Sequence, residues 1–264
     1  MKSALKTHTI DSFNDFPELR HAFSPRSFEK GKGVSEKLLL GRKADPGSSE
    51  QHRKLLLENI NSRAQDIYFL KQVHGDRVWV LDDRAQSPEK VEQEEADALI
   101  THLTEKPIAV LTADCVPVIL YDPRQHVTGV IHAGRKGSQM SIVSKTISML
   151  SMVYGSRAED VAMATGPAIG GCCYEVDEPC IEPFRNNYQE WKSFVTPRPS
   201  GRFMLDLLKA NETDGLRAGI LGKNIHHFGE CTSCRNDRWF SYRREGTTGR
   251  IVSIAMLLPQ SGKG

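Results

Sequence analysis

The 264-residue chain has no long hydrophobic run. Apolar stretches such as Val116–Tyr121 fall far below the roughly 18 residues that cross a bilayer, so no membrane span and no membrane partner are expected. The basic start Met1-Lys-Ser-Ala-Leu-Lys6 is followed by no apolar segment of the secretory kind, which makes a cytoplasmic location the default expectation. A strong charge imbalance is also missing. A net charge of +2 gives no electrostatic argument for binding nucleic acid or a membrane surface. There is no internal repeat, no low-complexity tract and no linker dividing the chain. The cysteines, at 115, 172, 173, 180, 231 and 234, do not have the density of a disulfide framework; in a reducing compartment they read as buried thiols, metal ligands or a nucleophile.

Histidine is scarce in one specific sense. A four-copper oxidase centre needs about ten imidazole ligands, often as closely spaced pairs. This chain has nine histidines, and only His226 and His227 are adjacent. A full copper cluster is therefore excluded on ligand supply, although a single site could still take up copper.

What is present is an ordinary soluble composition, 39% hydrophobic and 26% charged, in a chain long enough to bury a core without staples. The organising stretch is Val110-Leu-Thr-Ala-Asp-Cys115-Val-Pro-Val-Ile-Leu-Tyr121, followed by Val127-Thr-Gly-Val-Ile-His132-Ala-Gly134. Cys115 lies between two β-rich runs and His132 closes a third, with Asp122–His126 as a hairpin-like turn. Upstream, residues 1–30 read as an initial strand region closed by Phe23-Ser-Pro-Arg26, Gly31–Gly33 as a loop, and Ser48–Ala64 as a helix. Ile67–His74 reads as a strand ending at a His-Gly-Asp turn, Val78–Leu81 as another, and Gln86–Glu95 as a polar loop. Downstream, Ser138–Tyr154 reads as one long helix and Val161–Gly171 as a strand breaking into a Gly/Pro loop. Pro179–Tyr188 and Leu205–Ile220 follow as helices, Gln189–Gly201 as loop, Arg250–Leu258 as a buried strand, and 259–264 as a loose tail. The alternation is too irregular for a doubly wound sheet, which leaves one α+β domain, 1–264, with mixed β-sheets.

Three chemistry-bearing residues stand at strand ends: His74, Cys115 and His132. Each alone is compatible with a structural role. Together they could hold Zn²⁺ at three positions with an open fourth, or pair an imidazole with a thiol to make a thiolate nucleophile. Spacing does not separate these options.

The strings Lys71-Gln-Val-His74-Gly75, Ala96-Asp97-Ala-Leu-Ile-Thr101, Thr112-Ala-Asp-Cys115-Val-Pro-Val118, His132-Ala-Gly134, Gly166-Pro-Ala-Ile-Gly-Gly-Cys-Cys-Tyr-Glu-Val176 and Phe240-Ser-Tyr-Arg-Arg244 resemble the YfiH, or laccase-domain-containing, family. They recur in order from about residue 20 to residue 258. The resemblance implies a layered α/β/β/α fold like that of cysteine hydrolases, and an active site that falls on His74, Cys115 and His132 and binds zinc. It implies purine nucleoside phosphorylase activity, with phosphate as co-substrate, together with adenosine deaminase and methylthioadenosine phosphorylase activity. Members have also carried the label of laccase or polyphenol oxidase, and some are implicated in editing peptidoglycan precursors. Small-molecule nucleoside and phosphate are thus the partners implied.

The chain departs from the family pattern where substrate contacts are expected. The usual His-Ala-Gly-Trp-Arg-Gly is His132-Ala-Gly-Arg135-Lys136-Gly137, the arginine of the first helix is Ile60, and a longer insert separates Arg26 from Gly33-Val-Ser35. Candidate anion contacts are Arg26, Arg243 and Arg244, with Arg135 and Lys136 behind them. Cys231-Thr-Ser-Cys234, one CxxC without a second, reads first as structural thiols and second as an accessory metal or redox pair, and Cys172-Cys173 sit in a Gly-rich loop that lines the pocket. Two rival functions stand beside phosphorolysis: a cysteine amidase in which Cys115 is acylated with His132 as base, and a metal-binding or interaction protein in which the cluster is only structural.

Overall fold

Period-2 alternation of buried residues sorts the central strands into layers. The computed structural model describes residues 5–29, 35–40, 46–199 and 201–260, so the Gly31–Gly33 loop and the end of the tail lie outside the described residues. In chain order the elements are β1 (Leu19–Phe23), β2 (Ser27–Glu29), β3 (Ser35–Lys37), α1 (Pro46–Asn59), β4 (Val78–Leu81), α2 (Pro88–Val91), β5 (Ala98–Thr101), β6 (Ile108–Thr112), β7 (Val116–Asp122) and β8 (Val127–Ala133). Then follow α3 (Arg135–Gln139), α4 (Ile142–Tyr154), β9 (Ala162–Thr165), β10 (Glu175–Val176), α5 (Glu178–Asn187), β11 (Val195–Pro197), β12 (Phe203–Leu205), α6 (Leu207–Arg217), β13 (Ile225–His227), α7 (Tyr242–Glu245) and β14 (Ile251–Leu257).

A six-stranded mixed sheet, ordered β13-β9-β7-β8-β5-β4, is parallel at both margins and antiparallel in the middle. An antiparallel sheet, β1-β14-β6, packs on it. Leu99, Ile119, Tyr121 and Val130 of the large sheet meet Ile108, Val110, Ala255 and Leu257 of the small one in the layer between them. The alternate residues Ala98, Ile100, Val118, Leu120 and Ile131 face the other way, onto Ile142, Val143, Ile147 and Leu150 of α4 and onto α5 and α6. On the far side of the small sheet, Ala109, Val252 and Ile254 pack on Leu56 and Leu57 of α1 and on Ile60. The order of layers is helix, sheet, sheet, helix, as the resemblance implies. Each fully buried Leu, Ile or Val side chain contributes about 1.5–3 kcal/mol to this stack.

Several elements differ from their sequence reading. Ile67–His74 is not a regular strand; its backbone pairings are isolated bridges, Tyr68 to Ile108 of β6 and Lys71 to Glu95. The Gln72 side-chain amide substitutes for a backbone there, donating to the Leu111 carbonyl and accepting the Leu111 N–H, both at 2.8 Å. The long helix of Ser138–Tyr154 is two helices, α3 starting already at Arg135 and α4 at Ile142. Ser141 takes a left-handed conformation between them (φ 59°), and Tyr188 braces the break through its hydroxyl to the Ser138 carbonyl. Leu205 ends β12 instead of starting a helix, because Asp206 caps α6 by accepting the Lys209 N–H. Within the polar stretch 86–95 lies the short α2, opened by Pro88. Val195–Pro197 of the 189–201 stretch, read as loop, pairs with β12 as β11. Arg243 and Arg244 lie in α7.

Candidate active site

The three reactive residues reach one place by three routes. β6 and β7 belong to different sheets, so the chain crosses from the small sheet to the large one at Ala113–Cys115. Asp114 turns that corner with φ 92°, a conformation that needs external support in a non-glycine residue. It has that support: its carboxylate accepts the Thr232 hydroxyl and the Arg243 N–H, both at 2.6 Å, and its carbonyl accepts the Ile169 N–H. Cys115 follows, half-buried, at the mouth of β7.

His132 is the penultimate residue of β8, buried beside Pro117 of β7. His74 sits on a left-handed turn, φ 61°. Asp97, just before β5 and fully buried, ties both histidines down. Its carboxylate accepts the N–H groups of Val73 (3.2 Å), His74 (3.0 Å) and Gly75 (2.6 Å), and lies 2.7 Å from His132 Nδ1. Its carbonyl accepts the His132 N–H. With Nδ1 committed to Asp97, Nε2 is the ring nitrogen left to His132 for Cys115 or a metal.

The two imidazole rings stand edge to face with centroids 4.6 Å apart. One donor atom from each of His74, Cys115 and His132 lies within 4.8 Å of the others. Gly134 closes the floor: a Cβ there would lie 3.1 Å from His74 Cδ2 and 3.2 Å from Cys115 Sγ. Gly137 lets α3 approach the His74 turn, since a Cβ would stand 2.8 Å from the Gly75 carbonyl oxygen.

Burial alone would push the Cys115 thiol up. The charge and hydrogen bonding of His132, aided by His74, outweigh it and draw the thiol well below its ordinary range. Burial likewise disfavours the charged form of His132, but the Cys115 thiolate and the Asp97 carboxylate hold it protonated to higher pH than a free imidazole. Both shifts favour a thiolate beside an imidazolium.

The trio opens onto a cleft of about 1220 Å³. Arg135, Lys136, Arg243 and Arg250 bring positive charge to its walls, Tyr174 and Tyr242 bring aromatic surface, and Leu70, Ile169 and Leu207 are apolar. The Arg243 guanidinium lies 5.1 Å above the Tyr174 ring. Of the three arginines weighted first from the sequence, only Arg243 lines this cleft. Arg26 pairs with Glu245 and stacks on Phe240, while Arg244 spends its donors on the carbonyls of Thr232, Ser233 and Trp239 and on Glu245. Asp97 and Asp114 were not singled out in the sequence as site residues. Their signal was there: a carboxylate inside each of two apolar, strand-flanking strings.

The family model described as multi-copper polyphenol oxidoreductase laccase matches residues 20–258. The chain belongs to this family. Among relatives, it is 28% identical over 259 residues to the purine nucleoside phosphorylase of Bacteroides thetaiotaomicron, covering 94% of each chain. It is 30% identical over 211 residues to a purine nucleoside phosphorylase of Mus musculus, covering 78% of this chain and 46% of the other, so it spans under half the length of that relative. Among solved structures, the YfiH protein of Bacillus licheniformis superposes with a TM-score of 0.87 at 29% identity, covering 96% of this chain and 97% of the other.

The laccase-domain label does not bring a copper cluster with it. The histidines outside the trio are spread through the fold: His21 accepts the Ile10 N–H, His52 bonds the Leu39 backbone, His126 bonds the Leu258 carbonyl, and His227 bonds Thr165. Among the described residues, metal-competent groups occur at two places, the trio and a set of four cysteines.

Proposed function

We propose that the chain is a purine nucleoside phosphorylase that works at His74, Cys115 and His132, with inorganic phosphate as co-substrate. The observation that carries this reading is the convergence of the trio on the floor of a cleft whose wall bears Arg135, Lys136 and Arg243. Phosphorolysis joins a phosphate oxygen to the anomeric carbon of the ribose as the carbon–nitrogen bond to the purine breaks. The chemistry asks for an anion site, a proton for the departing base, and walls that exclude water. The three cations supply the first. With its Nε2 free of metal, His132, held by Asp97, is the proton donor. Tyr174 and the apolar wall offer the purine a stacking and packing surface.

Two imidazoles and a thiolate in mutual reach, open to a cleft, would suit a zinc ion, with His74, Cys115 and His132 as its holders. Copper would compete for the same donors. Such an ion supplies Lewis acidity and an acidified water, the requirement for deaminating adenosine at this site.

A second reading is favoured by the Cys115–His132–Asp97 arrangement, which has the order of nucleophile, base and orienting carboxylate. In a cysteine amidase acting on a peptidoglycan precursor, the Cys115 thiolate would form a thioester as the amide C–N bond breaks and the amine leaves with a proton from His132; water would then cleave the thioester to the carboxylate and free thiol. One experiment separates these readings. The purified protein is incubated with adenosine or inosine, with and without phosphate, and the products are resolved by chromatography. Free base released only with phosphate, and lost in His74→Ala and Cys115→Ala, supports phosphorolysis. Release that ignores phosphate overturns it, and an acyl adduct trapped on Cys115 supports the amidase.

A further inference from the structure

The four cysteines outside the trio come from two separate loops and meet at the protein surface. Cys172 and Cys173 follow the Gly-rich turn after β9, and Cys231 and Cys234 follow β13. Their sulfurs all lie within 4.8 Å of one another. Cys172 Sγ is 3.7 Å from both Cys173 Sγ and Cys234 Sγ, and Cys173 Sγ is 3.4 Å from Cys234 Sγ. A tetrahedral zinc ion with Zn–S bonds of about 2.3 Å sets its sulfurs about 3.8 Å apart. A disulfide would require about 2.05 Å. The three spacings among Cys172, Cys173 and Cys234 lie near the edge of that tetrahedron, and Cys231 Sγ lies within 4.8 Å of all three.

The backbone is arranged for thiolates as well. The Gly170 N–H donates to Cys231 Sγ at 3.3 Å. A Cβ on Gly170 would stand 3.3 Å from Cys172 Sγ, a tight contact, so glycine eases the approach of that sulfur. The two loops are held in register by a bridge between Ala168 and Cys231, with the Thr232 N–H donating to the Ala168 carbonyl. The lone CxxC at 231–234 therefore does have a second pair, supplied by Cys172 and Cys173.

We infer that Cys172, Cys173, Cys231 and Cys234 form a second metal centre, a tetrathiolate site for zinc that is separate from the His/Cys/His trio. Its place gives it a task. One loop carries Ile169 and Tyr174 of the cleft wall; the other holds Thr232, which bonds the Asp114 carboxylate beside Cys115. A zinc ion there clamps the wall of the cleft to the corner that presents Cys115, without touching substrate.

The test uses the full chain with the trio disabled. Cys115→Ala protein, purified under reducing conditions and reconstituted with zinc, is expected to retain one equivalent by elemental analysis. X-ray absorption of that protein should show an all-sulfur shell at about 2.3 Å. Adding Cys231→Ser and Cys234→Ser should lower zinc affinity at least 100-fold. If Cys115→Ala fails to fold, His74→Ala provides the same background. Cobalt in place of zinc should give thiolate-to-metal charge-transfer bands that survive the trio variants and vanish with the two serines. Absence of stoichiometric metal, a shell of nitrogen and oxygen, or recovery of these four sulfurs as disulfides from reducing conditions each overturns the inference.

Discussion

Asp97 Oδ1 and His132 Nδ1 lie 2.7 Å apart in a fully buried pair, and the same carboxylate collects three consecutive N–H groups from the turn that carries His74. One side chain therefore sets the tautomer of one histidine and the backbone of the other. Asp97→Asn keeps the shape and removes the charge. It is expected to lower turnover or metal affinity about 10- to 100-fold, with the far-ultraviolet circular dichroism unchanged. Turnover within twofold of wild type would refute the assignment of Asp97 as the positioning residue.

Gly134 offers a steric probe of the same floor. Gly134→Ala places a methyl 3.1–3.2 Å from His74 Cδ2 and Cys115 Sγ, so one of the two must retreat. The expected outcome is loss of most activity at a small cost in stability, about 1–3 kcal/mol. Comparing kcat with the urea midpoint checks it.

The arginines divide into contact and brace. Arg243→Ala is expected to raise KM for phosphate about 10-fold or more, equivalent to the loss of roughly 1.4 kcal/mol of binding. Arg26→Ala, which removes the partner of Glu245 and the cation over Phe240, should lower Tm and leave that KM in place. Equal KM effects from both variants would contradict the division.

Stability should fall with acid through one histidine. Burial holds His21 down to about 4, so the folded protein favours the neutral ring, whose Nε2 accepts the Ile10 N–H. The contribution is fully present above the unfolded value of about 6.5 and is lost as pH falls through the window from there to about 4, on the order of 3 kcal/mol in all. Urea titrations at pH 7 and pH 5 should show a steeper loss in wild type than in His21→Gln; matching losses would remove His21 as the source.

Much of this is legible in the sequence. Alternating apolar runs fixed the strands around Cys115 and His132, and the ordered motifs gave the layers and the trio. The rest depended on relations that a linear pattern does not carry. Val110 and Val118 look alike in sequence yet belong to different sheets. The break at Ser141 is hidden in a continuous helical pattern because it is stabilised from outside, by Tyr188. Arg26, Arg243 and Arg244 are chemically alike, and only their neighbours decide that Arg243 faces the cleft. Cys231 and Cys234 gave a weak signal because their partners lie some sixty residues earlier, at 172 and 173.

The passage of the chain between sheets at Ala113–Cys115 has one more consequence. Cys115 stands where the chain passes from the small sheet into β7, next to Val116, which pairs with Ala133 beside His132, so the aim of its thiol at His132 depends on the corner that joins the two stacked sheets. Activity should then behave as a gauge of interior alignment. In a denaturant series it should decline before helical signal does, and a substitution deep in the shared layer, such as Leu99→Ala, should register in turnover although it lies among side chains that never meet substrate.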